Sequence, residues 1–162
     1  MKKLLLAAFL LSGCGFTPVY DTTGSTYTAL KNYSIEIAPI PDQYGMSMRH
    51  QLKEIIPQVA EKPKKSYVLN VSAPKFSGYD KTITNDEFAS TIQATATTDF
   101  TLTDTKTHKV LFKNSVSATS SYMVESSPYA TTVAKNKVYE ELTQELSQQI
   151  GQNVLAYITK DI

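Results

Sequence analysis

The side chains that most often carry out catalysis or bind metals are few in this sequence and lie far apart. His50 and His108 stand alone, and no His-x-x-x-His pair occurs. Asp104 and the pair Asp86–Glu87 fall in polar stretches typical of turns. No serine lies in a Gly-x-Ser-x-Gly motif, and no glycine-rich phosphate loop is present. The sequence predicts no enzyme, metal site or cofactor, although a hydrolase site assembled from distant residues stays open.

Cys14 is the only cysteine, and its surroundings indicate a lipid-modified residue. A single cysteine excludes an internal disulfide and a cysteine-based zinc cluster. It ends the tetrapeptide Leu11–Cys14, Leu-Ser-Gly-Cys, which fits the bacterial lipobox. The small residues before the cysteine allow the chain to fit the active site of a signal peptidase, and the cysteine thiolate can be modified with a diacylglycerol. In enteric-type bacteria an aspartate after the cysteine retains a lipoprotein in the inner membrane, so Gly15 favours the outer membrane.

The segment before Cys14 has the anatomy of a signal peptide. Lys2 and Lys3 form a positive n-region, and residues 4–11 form an apolar h-region. This run is far shorter than the roughly 20 residues of a transmembrane helix. We expect cleavage of residues 1–13, after which several acyl chains anchor the mature protein stably. The alternatives are an ordinary secretory signal with a chance cysteine, or a cytosolic protein with an apolar start.

Composition predicts one globular domain without a nucleic-acid partner. The 162 residues are 41% hydrophobic and 19% charged, which is enough for one core but not for two comfortable ones. Loss of Lys2 and Lys3 leaves 14 basic and 15 acidic residues, a net charge of −1. No basic block suggests binding to nucleic acid. We predict a lipidated tether over residues 14–31 and a single domain over residues 32–162.

Hydrophobic periodicity predicts the order β-α-β-β-β-α. A strand is expected near residues 33–37, and a helix over residues 43–59 that Pro57 ends or distorts. Three strands should follow over residues 66–73, 92–102 and 110–118, with a long polar connection at residues 77–87 and a hairpin turn at 104–108. Their expected inward-facing residues include Ile92, Ala94, Ala96, Phe100, Leu102, Val110, Phe112, Val116 and Ala118. The fold class is α+β, with two helices on one face of a small, largely antiparallel, four-stranded sheet.

The last helix should begin at Pro128, with Ser127 as its cap. Apolar residues then recur every four positions, at Ala130, Ala134, Val138, Leu142, Leu146, Ile150, Val154 and Ile158. Each step of four advances the stripe by about 40° around a helix. The helix should therefore bend near Gly151, or its two ends should face different surroundings.

The polar face of the predicted sheet is rich in Thr and Ser and poor in charge. One interpretation is a solvated face with good strand propensity. The other is a face that fits into a wet, confined partner surface. Among the lysines, most should be solvated, but Lys135 lies early in the last helix, where the helix dipole mildly disfavours cations.

Two motifs resemble the family of the lipopolysaccharide-assembly lipoprotein LptE. The start of the mature chain, Cys-Gly-Phe-Thr-Pro-Val-Tyr at residues 14–20, is similar to the start of that family. Residues 121–122, Ser-Tyr, and 127–130, Ser-Pro-Tyr-Ala, lead into a long helix as in its C-terminal part. The order of elements also agrees, so the resemblance covers most of the chain.

The resemblance implies a partner, a location and a ligand. LptE-like proteins pack two helices on a four-stranded sheet and plug the LptD β-barrel at the periplasmic face of the outer membrane. They bind lipopolysaccharide during its transport to the outer leaflet. The basic positions that match best are Lys81, in the loop between the second and third predicted strands, and Lys135, near the start of the last helix. The alternative function is an accessory lipoprotein of an envelope-spanning ABC-type lipid transporter.

Overall fold

Five strands and two helices follow one another in the part of the chain that the computed structural model describes, residues 33–57, 63–80 and 90–160. Their bounds are β1 (Tyr33–Ile37), α1 (Gln43–Ile55), β2 (Lys65–Val71), β3 (Lys75–Asp80), β4 (Ser90–Asp104), β5 (Val110–Val124) and α2 (Pro128–Lys160). The predicted α+β class with two helices is confirmed. The prediction of four strands is wrong, because a fifth strand, β3, lies where we expected the long connection to begin.

β2 and β3 run along the same edge of β4, one after the other. β2 pairs with β4 at Phe100–Asp104, and β3 pairs with it at Ile92–Thr97. At the junction, Ser72 N donates to Asp99 O at 2.9 Å, and Pro74, which has no N–H, interrupts the ladder. β3 has no alternating burial and includes a glycine, so its strand conformation comes from pairing with β4 and not from its own pattern.

The sheet is mixed, in the order β1-β2-β4-β3, with β5 along the opposite edge of β4. β1 is parallel to β2, and α1 forms the crossover between them. The other pairs are antiparallel. The sheet is therefore four strands wide, because β2 and β3 occupy one position in its width.

α1 begins and ends where its sequence predicts. The Asp42 carboxylate accepts a hydrogen bond from Gly45 N at 2.7 Å, which satisfies an N–H of the first turn. The helix ends at Ile55, two residues before Pro57. Met48 and Leu52 are fully buried, as expected from the apolar face. Residues 58–59, the end of the predicted helix, lie outside the described residues.

α2 is a continuous helix of 33 residues that begins at Pro128. Ser127 Oγ accepts from Ala130 N at 3.5 Å, so the predicted cap is confirmed. The helix continues through Gly151, and every residue of the apolar stripe from Val138 to Ile158 is buried. Before Val138 no residue of the helix is buried, so its two ends face different surroundings, the second of the predicted alternatives. Neither helix of the described ranges is long and apolar enough to cross a membrane.

Gly151 lets the two helices approach each other closely. A Cβ added there would lie 2.4 Å from Cγ2 of Ile55 in α1. Real Cβ contacts are essentially never that short, so a side chain at residue 151 would force Ile55 or the helices to shift. The hydrophobic core lies between this helix pair and the inner face of the sheet, where Phe100, Leu102 and Leu69 are almost fully buried.

β4 and β5 form the predicted hairpin, with one shift in register. The pairing is irregular between Leu102 and Thr103, so Thr103 faces Val110. Val110 is 53% exposed, and its assignment to the core is therefore wrong. The alternation of apolar and polar residues assumes a regular strand. It therefore could not show this bulge, where one extra residue changes the face that the adjoining side chains occupy.

Candidate functional site

The face of the sheet opposite the helices, here called the outer face, is formed mainly by hydroxyl side chains. On β4 it contains Gln93, Thr95, Thr97, Asp99 and Thr101, and on β5 Lys113, Ser115, Ser117, Thr119 and Ser121. The inward residues of β4 between them, such as Ala94, Ala96 and Phe100, are buried, which confirms the predicted alternation. No described element covers the outer face.

Neighbouring strands of the outer face are joined by side-chain hydrogen bonds. Thr95 Oγ1 lies 3.2 Å from Thr119 Oγ1, across the β4–β5 pair. Tyr79 Oη donates to Gln93 Oε1 at 2.6 Å, across the β3–β4 pair. Hydroxyl groups can both donate and accept, so this surface suits partners and water that form hydrogen bonds but does not select a charge.

Lys135 lies in the third turn of α2 with its side chain exposed. Its Nζ is 5.3 Å from the ring centroid of Tyr139, one turn further along, within the range of a cation–π contact. Lys137, two residues away, instead pairs with Glu141 at 3.9 Å. Within the described ranges, Lys135 has no carboxylate partner, so its charge is available to an anion.

Tyr139 belongs to a cluster of three aromatic rings from three elements. It stacks on Phe76 of β3, with centroids 4.1 Å apart and planes 5° apart. Tyr44 of α1 meets Phe76 edge-on at 4.9 Å. The cluster fixes the ring beneath Lys135, and sequence reasoning missed it. Only the spacing of Lys135 and Tyr139, one helical turn, could have indicated the contact.

Exposed apolar side chains gather at the end of the sheet where α2 begins. Tyr79 is 57% exposed near the end of β3, and Met123 is 60% exposed near the end of β5. Tyr129 and Val133, on the first turns of α2, are 79% and 49% exposed. Lys135 is on the next turn of the same helix, but two residues span about 200° of rotation, so its side chain lies on another face of α2 than that of Val133.

The residues first considered for chemistry have structural roles or lie apart. The Asp104 carboxylate accepts from the N–H groups of Thr107 and Lys106, both at 2.8 Å, and so shapes the β4–β5 turn. The Thr107 N–H is the main reason that the pKa of Asp104 is below its ordinary value. His50 lies 3.3 Å from Glu54 on exposed helix surface, and His108 is in the turn. The described residues contain no group of three potential metal ligands.

Two of the predicted site residues fall outside the described ranges. These are Cys14, the predicted lipidation site, and Lys81, one of the two predicted lipopolysaccharide contacts. β3 ends at Asp80, immediately before Lys81, at the same end of the sheet as the apolar side chains. Lys135 is therefore the predicted ligand-binding residue whose surroundings the structure defines.

Comparison with known proteins gives a fold and no family. No family model matches the chain, and no curated relative matches it. Three solved structures are similar over most of their length: rare lipoprotein B from Shewanella oneidensis, a candidate lipoprotein from Caulobacter crescentus and a minor lipoprotein from Acinetobacter baumannii.

The three likenesses have similar extents. For the Shewanella protein the TM-score is 0.61, with 10% identity, 79% of this chain covered and 96% of that one. For the Caulobacter protein the TM-score is 0.59, with 17% identity, and the match covers 83% of this chain and 96% of that one. For the Acinetobacter protein the TM-score is 0.56, with 17% identity, and the match covers 78% of this chain and 92% of that one. This chain therefore has the fold found in several bacterial lipoproteins.

Proposed function

We propose that this protein is an outer-membrane lipoprotein of the LptE type, which plugs an LptD-type β-barrel and binds lipopolysaccharide on its way to the outer leaflet. The observation that carries the proposal is the fold, which is shared with rare lipoprotein B, a name of LptE. The lipobox at Cys14 and the Cys-Gly-Phe start support it independently. The proposed role is non-enzymatic and needs no cofactor.

The outer face supports a position inside a barrel. The interior of a large outer-membrane barrel is polar. A plug there needs a surface that forms hydrogen bonds and avoids buried, unpaired charge. The Thr and Ser side chains of β4 and β5 meet this requirement around Thr95, whose paired neighbours are Ser77 and Thr119. The charged side chains of this face, Lys75, Asp99 and Lys113, lie beside these hydroxyl groups or further along the strands.

The surroundings of Lys135 support binding of an anionic lipid. Lipopolysaccharide combines anionic groups with acyl chains, and a lysine binds phosphate as a point charge. Lys135 offers such a charge without a carboxylate partner in the described structure. Tyr129 and Val133 offer exposed apolar surface on another face of the preceding turns of α2. We propose Lys81, which directly follows β3, as the second cation.

Purification from membranes tests the proposed partner. A C-terminally tagged chain, purified from detergent-solubilised outer membranes, should retain one large β-barrel protein identified by mass. Retention of an ABC-type transporter or its inner-membrane partners would favour the alternative function, an accessory lipoprotein of an envelope-spanning transporter. A chain that co-purifies with neither would contradict the plug.

A further inference from the structure

Among the described residues, no strand pairs with the outer edge of β5, which has a defined set of outward backbone groups. Ser72 N donates to Asp99 O, so the backbone N–H and C=O groups of the odd-numbered residues around Asp99 in β4 point towards β2 and β3. Antiparallel ladders alternate, and the even-numbered residues of β4 therefore bond to β5. Thr98 is paired with Val116. The backbone N–H and C=O groups of the odd-numbered residues in this part of β5 therefore point outward, away from β4. These residues are Ser115, Ser117, Thr119, Ser121 and Met123.

Side chains already bond to two of these outward backbone groups, one on Ser115 and one on Ser117. Asn114 Oδ1 accepts from Ser115 N at 2.9 Å. Gln149 Nε2, from α2, donates to Ser117 O at 3.3 Å. Such caps protect an edge strand from unwanted pairing. Beyond them, from Thr119 to Met123, no described residue bonds to the outward N–H and C=O groups.

A groove of about 440 Å³ lies between β5 and α2, lined on the β5 side by residues 117–120, where the uncapped edge begins. Leu142 lies at its base, and Glu141 and Glu145 are its charged lining residues. Glu141 lies 3.9 Å from Lys137, and Glu145 Oε1 accepts from Gln149 Nε2 at 3.0 Å. Two carboxylates beside one ammonium group leave the α2 side of the groove with a net negative charge. The groove therefore combines backbone groups that can pair with a strand and acidic side chains that select a charge.

We propose that the β5 edge from Thr119 to Met123 binds an extended segment of a partner protein as an added strand, with lysine or arginine on the side that faces α2. Backbone pairing would supply affinity, and alternate side chains would supply specificity. A second copy of this chain fits poorly, because antiparallel pairing of two β5 edges would bring two sets of Glu141 and Glu145 together. The inference concerns a surface that the proposed function does not use.

A designed peptide tests the charge and the pairing separately. The probe is a fluorescein-labelled heptapeptide, Thr-Lys-Thr-Val-Thr-Lys-Thr, with blocked ends, whose lysines would lie over the groove. Fluorescence anisotropy with the full chain in detergent should show saturable binding. Glutamate in place of both lysines should weaken binding about tenfold or more, and methylation of alternate backbone nitrogens should abolish it. Equal binding of the three peptides, or no binding of the first, would overturn the proposal.

Variants of the protein locate the site. Ser121→Pro removes an outward N–H while leaving the β4–β5 ladder intact, and should weaken binding about tenfold. The double change Glu141→Gln and Glu145→Gln should reduce the preference for lysine without loss of fold, whereas the control Glu140→Gln, outside the groove, should leave it unchanged. Equal effects of the double change and the control would place the peptide elsewhere. Sedimentation showing a dimer that Ser121→Pro dissociates would make the occupant a second copy and refute the partner assignment.

Discussion

Two exposed lysines on α2 differ in what their ammonium groups contact. Lys135 lies over the ring of Tyr139, which stacks on Phe76, whereas Lys137 pairs with Glu141. An aromatic ring leaves the positive charge uncompensated, while a carboxylate neutralises it. The two side chains therefore form a matched pair for testing whether a cation at this place binds an anionic lipid.

Lys135→Glu should weaken binding of lipopolysaccharide about fivefold, since an exposed charge contact is worth up to about 1 kcal/mol. Lys137→Glu, an equal change of charge two residues away, should have a smaller effect. Displacement of a fluorescent lipopolysaccharide from the purified chain measures both. Equal weakening by both variants would mean that only net charge matters, and unchanged binding of Lys135→Glu would remove its assignment.

Asp104 makes the stability of the β4–β5 turn depend on pH. Hydrogen bonds from the N–H groups of Thr107 and Lys106 hold the pKa of Asp104 below its ordinary value of 3.8. The charged form is thus stabilised in the folded chain, a contribution that is complete above the unfolded pKa and lost as pH falls through the lower, folded pKa.

Asp104→Ala should therefore lower the free energy of unfolding at pH 7, and the difference from the parent should shrink below about pH 4. Urea unfolding at a series of pH values measures it. Asp104→Asn, which keeps a side-chain oxygen but cannot ionise, separates charge from hydrogen bonding. A difference that stays constant to pH 2 would show that the carboxylate charge has no part in holding the turn.

The outer face owes its function, as we propose it, to the strands as elements and not to any single hydroxyl group. Thr95 and Thr97 lie at its centre, and Thr95 contacts Thr119 on the neighbouring strand. Changing both threonines to lysine should reduce co-purification with the barrel strongly, because two unpaired charges would face the partner's wall. The control places lysines at Gln144 and Gln148, exposed positions of α2. Equal yields of barrel from both variants would rule out the outer face as the plugging surface.

The close contact between α1 and α2 depends on Gly151, which has no side chain. In an isolated helix Gly→Ala stabilises by roughly 1 kcal/mol. Here an added Cβ would meet Ile55, so Gly151→Ala should destabilise the protein by about 1–3 kcal/mol. In an Ile55→Ala background the penalty should largely disappear, which a double-mutant cycle of urea unfolding measures. Stabilisation by Gly151→Ala in the parent chain would contradict the close approach.

Local signals predicted elements well, whereas contacts between distant elements were invisible. Pro57, Pro128 and the Ser127 cap act within one helical turn, so the helix ends followed from sequence. β3 did not, because residues 75–80 become a strand only beside β4. The site shows the same division: Lys135 could be named, but the rings of Phe76 and Tyr44 that hold Tyr139 come from other elements.

At the scale of the whole molecule, the lipid on Cys14 should raise the local concentration of the domain near its partner, without itself providing specificity. A Cys14→Ala chain, exported with an ordinary signal peptide, should bind the barrel less efficiently at native expression. Raising its expression should restore binding by mass action. Quantitative co-purification at several expression levels checks this, and a complete loss of binding at every level would show that the anchor does more than concentrate the chain.

The position of β1 determines where the predicted tether, residues 14–31, joins the domain. β1 and β5 lie at opposite sides of the four-strand width, about 14 Å apart at a strand spacing of roughly 4.8 Å. The tether reaches the domain at Tyr33, the first residue of β1. If the predicted tether extends from Tyr33 towards the bilayer, it starts from the side of the sheet opposite the β5 edge. Anchoring and strand addition can therefore occur together in one molecule, and neither event has to wait for the release of the other.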